Sequence, residues 1–539
     1  MSELELSVIK NRSTGKSWLR MPLAKNTISA RYLIAILFLT LVCIGAFLST
    51  RLLDYYYVPQ QNVVTVSGIH ASDAELRTGG FPRNPLNQSS IQELEIGFPL
   101  NCSFGQETQV CLGNYYPVNF YKKDPDTSST SAPPTTCPDY FRWIHDDLWP
   151  WRETGITEDM VRRAGATANF RLVILNGTAY LETYDRSFQT RDRFTLYGIL
   201  QLLRRYPGQL PDLDLMFDCD DLPVVRKESH SAPGAPAPPP VFHYCRDDST
   251  LDIVFPDWSF WGWPEINVKP WRTLSKDLQD ANKRISWVNR EPYAWWKGNP
   301  HMGQSRPDLM KCNVSDKEDW GARLYNQDWI EETKQGFNQS DLSNQCTHRY
   351  KIYIEGASWS VSEKYILACD SLTLLVTPRY FDFFTRSLMP LKHYWPIKDH
   401  DKCRSIMHAV DWGNSNKETA QFIGKAGSDF IRENLKMDYV YDYMFHLLSE
   451  YAKLLKYKPS VPPKAVELCS ESMACPAPEL EQKFMREALV TGPTSEKPCV
   501  MPPPYDAATL QSFLTGKQNA FKQVDEWEKH FWDNWNTTT

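Results

Sequence analysis

Three aspartates follow a short apolar run within Asp212–Pro223, which reads D-L-D-L-M-F-D-C-D-D-L-P. Residues 213–217 can form a buried strand, and Asp218, Asp220 and Asp221 crowd its carboxyl end. Ligands of open α/β sheets bind beyond the carboxyl ends of strands, and repulsion among three acids can raise one pKa towards that of a general base. The segment therefore indicates proton abstraction from a substrate; a solvated acidic turn is the alternative.

Positive groups stand near the ends of other predicted elements. Arg191 begins one predicted helix, and Arg306 follows a Gly-Asn-Pro turn. A strand at 350–354 leads into a turn of small residues and then a helix whose start carries the capping-box pair Ser360 and Glu363. A helix start of this kind presents backbone N–H groups to an anion, so these places indicate a phosphate site.

The segment Phe255–Trp271 is rich in tryptophan and proline and has neither helical nor strand periodicity. It reads F-P-D-W-S-F-W-G-W-P-E-I-N-V-K-P-W, which predicts a rigid aromatic loop. Trp258, Trp261 and Trp263 are candidates for stacking on a sugar acceptor, and burial in a core cluster is the alternative.

Together these features suit transfer of a sugar from a nucleotide donor to a hydroxyl. A base removes the hydroxyl proton, while arginine and helix-terminal N–H groups hold the departing diphosphate. Asp218-Cys219-Asp220 also matches D-x-D, so a metal-bound diphosphate is an alternative. The net charge of -6 gives no indication of a nucleic-acid partner, and there is no Walker loop, G-x-G-x-x-G, H-E-x-x-H or G-x-S-x-G motif.

Alternating strands and helices must position these residues. The pair Asn176-Gly177 predicts a β-hairpin between 170–175 and 178–181. Two amphipathic helices are predicted within Lys417–Tyr457. The other predicted strands are 213–217, 241–244, 251–255, 293–296, 350–354 and 372–376. This alternation predicts α/β layers.

The first 135 residues carry a different pattern. Tyr32–Thr50 is uncharged and mostly apolar, and at ~1.5 Å per residue it can cross a membrane core of ~30 Å. Basic residues dominate before it, so the positive-inside rule places the bulk of the chain across the membrane from its amino terminus. The predicted layout is a cytosolic tail at 1–31, a transmembrane signal anchor at 32–50 and a Pro-, Asn-, Ser- and Thr-containing stem at 51–135.

Cysteine usage fits an oxidising compartment. Of the 13 cysteines, Cys43 lies in the predicted span and the others follow it without any C-x-x-C pair, which favours disulfides over zinc. Six N-x-S/T sequons also follow the span, at Asn87, Asn101, Asn176, Asn313, Asn338 and Asn536. Residues 459–539 are Pro-rich and carry Cys469, Cys475 and Cys499, which predicts a disulfide-pinned C-terminal appendage.

Six motifs lie in order between Cys137 and Tyr457: H-D-D-L-W-P-W (145–151), D-C-D-D-L-P (218–223), F-P-D-W-S-F-W-G-W-P-E (255–265), W-W-K-G-N (295–299), G-A-S-W-S-V-S-E-K-Y (356–365) and S-D-F-I-R-E-N-L (428–435). Through these motifs, the region from Cys137 to Tyr457 resembles the Rumi-type O-glucosyltransferase and capsule-associated (CAP10 domain) glycosyltransferase family. It is most similar to the plant members of that family. The resemblance covers more than half of the chain and leaves out the stem and the appendage.

The resemblance implies two Rossmann-like α/β domains of GT-B type, a UDP-sugar donor and inverting transfer without a metal or other cofactor. Residues 136–260 would form the half with the base and the acceptor side, and 261–458 the nucleotide-sugar half. Asp221 matches the catalytic base, and Cys346 and Cys369 match a family disulfide. The predicted nucleotide-sugar contacts are Phe188, Arg191, Asn299, Arg306, Gly356, Ser358, Trp359, Ser360 and Lys364.

One position departs from the family pattern. Animal members carry Arg where this chain has Ser362, which leaves Arg191, Arg306 and Lys364 to supply positive charge. We predict a single-pass type II Golgi membrane protein whose lumenal part moves xylose or glucose from a UDP-sugar to a hydroxyl of a glycan or protein. A non-catalytic carbohydrate-binding protein on the same scaffold and a carboxylate-pair glycosidase are the alternatives.

Overall fold

The computed structural model of the protein describes Leu100, Cys102, Cys111 and residues 135–538, with side chains up to Trp535. The predicted tail and membrane anchor, 1–50, and most of the predicted stem lie outside these residues. Within the part that is described, no helix has both the length and the apolar character needed to cross a membrane.

The first sheet contains β1 (Phe170–Leu175), β2 (Thr178–Thr183), β3 (Leu213–Phe217), β4 (Val241–His243), β5 (Ile253–Val254) and β11 (Val466–Leu468), with strands numbered along the chain. Their order is β11-β2-β1-β3-β4-β5. Asn176 and Gly177 have φ of 51° and 78°, so the predicted Asn-Gly turn joins antiparallel β1 and β2. β3, β4 and β5 run parallel, which places the carboxyl ends of β3 and β4 side by side.

The second sheet contains β6 (Glu291–Gly298), β7 (Ala322–Asn326), β8 (His348–Tyr353), β9 (Leu372–Val376) and β10 (Trp395–Ile397). Its order is β10-β9-β8-β6-β7, and every neighbouring pair is parallel. The first sheet is therefore mixed, because the hairpin and β11 add antiparallel strands, whereas the second is wholly parallel.

Helices cover the two sheets. They are α1 (Trp143–Asp147), α2 (Glu158–Ala164), α3 (Arg191–Arg205), α4 (Trp271–Arg284), α5 (Ser305–Met310), α6 (Trp329–Lys334), α7 (Ser362–Leu367), α8 (Lys402–Ser415), α9 (Lys417–Asn434), α10 (Met437–Leu454), α11 (Ser470–Ala474), α12 (Glu479–Glu487) and α13 (Ala507–Thr538). Although α10 belongs by sequence to the predicted second half, it packs on the first sheet, where Tyr451 Oη donates to Asp214 O.

Five disulfides join the described cysteines: Cys102–Cys475, Cys111–Cys469, Cys137–Cys499, Cys312–Cys403 and Cys346–Cys369. The first three connect the stem and the start of the folded region to the C-terminal appendage. Cys219 and Cys245 are free and buried. The appendage is thus tied to the chain by covalent bonds as well as by β11, which pairs with β2.

Candidate active site

Asp221 lies in the turn that follows β3 and pairs with Arg191, the first residue of α3. Arg191 Nη1 is 3.0 Å from Asp221 Oδ1 and donates to Cys219 O at 3.1 Å. The side chain of Asp221 is 38% exposed, whereas that of Arg191 is almost fully buried. The guanidinium therefore orients a carboxylate that solvent and substrates can still reach.

The Arg191 guanidinium lies against two aromatic rings. Its Cζ atom is 4.5 Å from the centre of the Trp258 ring and 5.1 Å from that of the exposed Phe188 ring. Among the described residues, neither Arg191 Nε nor Trp258 Nε1 has a hydrogen-bond partner, although both atoms are buried. Buried donors without partners are uncommon and indicate that a polar ligand or water belongs here.

Asp218, the first acid of the turn, has different surroundings. Asp218 is buried and its Oδ1 accepts from Asp220 N at 2.9 Å. Burial raises the pKa of Asp218 to about 7, and repulsion from Asp220 adds a smaller part of the shift. His243 Nε2 lies 4.0 Å from Asp218 Oδ1, and burial lowers the pKa of His243 to about 4, so that ring is neutral.

This geometry does not fit the D-x-D metal alternative. A bound divalent ion needs open carboxylate oxygens, but the Asp218 carboxyl is enclosed and caps its own turn. Elsewhere in the described region one group of potential ligands converges, Cys137, His446 and Cys499, and its two cysteines are bonded to each other.

On the second sheet, Arg306 of α5 binds the loops that follow two parallel strands. Nε donates to Glu355 O at 2.9 Å, Nη1 to Asn299 O at 3.2 Å and Nη2 to Ile354 O at 3.3 Å. No carboxylate of the described part forms an ion pair with this guanidinium, and burial lowers the pKa of Arg306. An enclosed cation without an anion at the carboxyl edge of a parallel sheet is suited to a phosphate.

Gly303 holds the loop after β6 against the loop after β8. Its φ is +71°, and a Cβ atom there would lie 2.0 Å from Gly356 O. Gly356 in turn lies beside Arg306, since a Cβ on Gly356 would be 3.4 Å from Arg306 Nη2. The sequence thus brings Asn299, Arg306 and Gly356 together, as predicted, through a close approach that only glycine permits.

The turn after β8 also reaches the first half. The Trp359 ring centre is 6.1 Å from that of Trp258 and 5.7 Å from that of Tyr244. The Cys245 thiol lies beside Ser358 and Trp359 and donates to Asp221 O at 3.6 Å. The predicted donor turn and the predicted base are therefore connected through one layer of buried side chains.

Several predicted site residues have other roles. Trp258 and Trp261 are 2% and 0% exposed, so neither presents a ring face to a sugar, and the structure supports the core-cluster alternative for both. Trp263 is half-buried and donates from Nε1 to Gln189 Oε1 at 2.8 Å. Lys364 is buried and binds Asp257 Oδ2 at 2.9 Å and Ser259 Oγ at 2.7 Å, which removes it from the donor site.

The helix start after Gly356 also differs from the prediction. α7 begins at Ser362, so its N-cap is Val361, one residue after the predicted Ser360. Ser360 N donates instead to Tyr353 Oη, and Ser360 Oγ is shared with Ser362 Oγ. Glu363 forms no capping box; it is buried, and burial raises its pKa well above the ordinary value. Ser358 is also buried, and within Gly356–Ser360 Ala357 is the exposed residue.

Sequence reasoning missed Glu355. Its Oε1 accepts from Arg379 N at 3.0 Å and from Tyr380 N at 2.7 Å, while its backbone oxygen accepts from Arg306. Burial raises the pKa of this carboxyl to about 7. An acid at a strand end directly before Gly356 was a usable signal, since that edge of a sheet is where ligands bind.

Comparison with known proteins places this site in a wider group. The model of glycosyl transferase family 90 matches residues 132–528, which include both sheets. Protein O-glucosyltransferase 1 of Homo sapiens is 27% identical over 335 residues, covering 60% of this chain and 81% of that protein. O-glucosyltransferase rumi of Drosophila melanogaster is 25% identical over 359 residues, covering 62% and 82%. The Bos taurus protein O-glucosyltransferase 1 is 28% identical over 342 residues, covering 61% and 82%.

Proposed function

The chain belongs to glycosyl transferase family 90, and on that premise we propose that it transfers xylose or glucose from a UDP-sugar to a hydroxyl group with inversion at the anomeric carbon. The pairing of an accessible Asp221 with a buried Arg191 that keeps an unused N–H donor carries this proposal. The mixed α/β fold with parallel strands and disulfides fits a glycosyltransferase, and we propose that its two sheets are the halves of a GT-B arrangement.

Asp221 is proposed as the general base. As the acceptor oxygen bonds to the anomeric carbon, the hydroxyl proton passes to the Asp221 carboxylate and the bond from that carbon to the β-phosphate oxygen breaks. UDP departs with the bonding electron pair, and attack from the face opposite to UDP inverts the carbon. Contact with Arg191 fixes the carboxylate so that it need not reorganise during the step.

The departing diphosphate is proposed to lie between Arg191 and Arg306. Arg306 is a cation without an anionic partner in the described region, and Arg191 offers its free Nε. Donors fixed in advance stabilise the negative charge that develops on UDP. Arg191 and Arg306 supply the positive charge that balances it, so we propose that the reaction needs no metal ion and no other cofactor.

The relatives and the cysteines support proposals for the acceptor and the location. The named relatives are protein O-glucosyltransferases, which favours a protein hydroxyl; a glycan hydroxyl is the other candidate. The disulfides indicate a lumenal or extracellular location for the described part. A single-pass type II protein of the Golgi membrane is the more specific proposal, based on the apolar segment 32–50.

Exchange of Asp221 for Asn tests the base. We expect Asp221→Asn to lower sugar transfer by about 10²- to 10⁴-fold while UDP affinity stays within about twofold, since the amide cannot take the proton. Asp220→Asn, the exposed neighbour, is the matched control and should retain most activity. The assay is product formation over a panel of UDP-glucose, UDP-xylose, UDP-galactose and UDP-glucuronate, with and without chelator.

Equal transfer by parent and Asp221→Asn would remove Asp221 as the base. Loss of activity in chelator would contradict the metal-free step.

The non-catalytic alternative has one observation in its favour. Ser362 replaces an Arg of the animal members, and Lys364 is bound to Asp257, so this turn brings no free cation to the diphosphate. Slow release of UDP by the purified protein in the absence of acceptor would exclude this alternative, whereas UDP binding without any release or transfer would support it.

A further inference from the structure

A cavity of about 390 Å³ is lined by the last residues of β6 and β7 and by α6. Its wall includes Trp295, Lys297 and Tyr325 on the sheet and Glu331, Gln335 and Gln339 on α6 and the residues after it. The volume falls within the ~300–1,000 Å³ of ligand pockets. It lies near the carboxyl ends of parallel β6 and β7, at the edge that also carries Asn299, since Gln327 N donates to Gly298 O.

The wall formed by the sheet is aromatic. Lys297 pairs with Tyr325 across β6 and β7, so Trp295, Lys297 and Tyr325 share one face of the sheet. The opposite face, which carries Ala294 and Trp296, is buried in the core. Tyr325 is 48% exposed, and its ring centre is 6.4 Å from that of Trp295. Two adjacent rings at a cavity wall provide a stacking surface for the C–H face of a sugar.

Trp295 is held in place by side chains of the neighbouring strand β8. Lys351 Nζ lies 4.9 Å from the centre of the indole and donates to Gln345 O at 3.2 Å. The His348 ring centre is 6.1 Å from that of Trp295. Because the indole is fixed in advance, a ligand that stacks on this wall need not order it.

The facing wall, on α6 and the residues after it, is polar and ordered. Gln339 Nε2 donates to Gln335 Oε1 at 3.4 Å, and Gln335 Nε2 donates to Glu331 Oε1 at 2.7 Å. Each amide retains further donor and acceptor positions, which suits the vicinal hydroxyls of a sugar, since each hydroxyl both donates and accepts.

The charge of the cavity selects among sugars. Lys297 Nζ is 3.2 Å from Glu332 Oε1, so the cation in the wall is already neutralised. Asp328 and Glu331 add negative charge at the rim. Phosphates and uronic acids are therefore disfavoured, and a neutral sugar is favoured.

We infer that the cavity between Tyr325 and Gln335 binds a neutral oligosaccharide, at a place separate from the reacting hydroxyl and the UDP-sugar. This goes beyond the proposed transfer reaction: it gives the protein a second carbohydrate-binding site that can hold distant units of a glycan. Binding at this site does not require turnover, so it can be measured whether or not transfer occurs.

The test is calorimetric titration of the whole lumenal protein with cellohexaose, xylohexaose and a hexamer of galacturonic acid. We expect a neutral hexamer to bind, the charged hexamer to bind at least about fivefold more weakly, and Tyr325→Ala to weaken neutral-hexamer binding by about fivefold or more. Tyr325→Phe keeps the ring and should bind like the parent. Phe422→Ala, which removes an exposed ring on α9, is the matched control and should also bind like the parent.

UDP titration of each variant separates this inference from the proposed function, because Tyr325→Ala should leave UDP affinity unchanged. The inference is overturned if no neutral hexamer binds up to millimolar concentration, if Tyr325→Ala binds as the parent does, if the charged hexamer binds more tightly, or if uridine displaces the hexamer.

Discussion

At the scale of single residues, the three aspartates after β3 show how strongly surroundings separate identical side chains. Mutual repulsion was expected to raise the pKa of one acid, yet burial is the main cause of the raised pKa of Asp218. Solvent reaches both Asp220 and Asp221, and Asp221 is the one that is ion-paired with Arg191. Asp218 instead accepts a hydrogen bond from Asp220 N and so helps to hold the turn that carries Asp221, the proposed base.

Arg306 offers a sharp test at the same scale. We expect Arg306→Lys to weaken UDP binding by about tenfold, because lysine keeps the charge but cannot bind several oxygens with a planar fork. Arg284→Lys, at an exposed arginine of α4, is the control. The measurement is UDP titration together with thermal unfolding, since Arg306 also joins two loops. Unchanged UDP affinity in a stable variant would remove Arg306 from the donor site.

Residue identities alone could not separate binding groups from structural ones. Lys364 was expected near the diphosphate, but its partner Asp257 lies 107 residues earlier in the chain, and no local pattern reveals such a pairing. The tryptophans at 258 and 261 were equally ambiguous, because an aromatic cluster has the same sequence whether it is open or buried. The end of a predicted strand pointed to the three aspartates and the start of a predicted helix pointed to Arg191, but only the family resemblance separated Asp221 from Asp218 and Asp220, and its role stays a prediction.

At the scale of elements, the close approach of the loops after β6 and β8 leads to a prediction for which Gly336 serves as the control. Gly303 and Gly336 both have positive φ, but only a Cβ at Gly303 meets backbone, while nothing lies within 4 Å at Gly336. Both alanine variants should lose about 1 kcal/mol of stability from the backbone conformation.

Only Gly303→Ala should also weaken UDP binding, by about tenfold or more, because Gly356 must move away from Arg306. Thermal unfolding and UDP titration measure the two effects. Equal UDP affinity in the two variants would show that the contact between these loops does not shape the donor site.

Glu355 makes a pH prediction. Its folded pKa of about 7 lies above its ordinary value of 4.5, mainly through burial, while the N–H groups of Arg379 and Tyr380 oppose the shift. The contribution of Glu355 to the free energy of unfolding is therefore fully present below pH 4.5 and is lost as the pH rises through 7.

Compared with Glu355→Gln, the parent should lose up to ~3 kcal/mol of stability between pH 4.5 and 7. Urea unfolding at several pH values measures this difference. Parallel stability curves for the two proteins would contradict the raised pKa.

Strand prediction worked where the pattern was strong and local. β3 and β9 have the predicted bounds, and the hairpin of β1 and β2 is confirmed by its positive-φ turn. β7, β10 and β11 were not predicted. β10 and β11 have three residues each, too few for a recognisable alternation, and they exist because a neighbouring strand offers hydrogen bonds. The mixed order of the first sheet depends on such non-local pairing.

At the scale of the whole molecule, the disulfides predict a count of thiols. Residues 52–539 should have two reactive thiols when denatured without reductant, those of Cys219 and Cys245. A fragment that begins at residue 125 lacks Cys102 and Cys111, so Cys469 and Cys475 lose their partners and the count should rise to four. Thiol titration measures both values. Two thiols in the shorter fragment would mean that Cys469 and Cys475 can pair with each other.

The pairing of early with late cysteines also constrains the order of events during synthesis. Cys102, Cys111 and Cys137 leave the ribosome 373, 358 and 362 residues ahead of their partners, and β11 joins the first sheet only after the second has been made. During elongation these thiols must stay reduced or be held in provisional bonds. A nascent chain halted before Cys469 should therefore depend on oxidoreductases and chaperones of the oxidising compartment, and the yield of folded protein should be sensitive to their supply long after Asp221 has been translated.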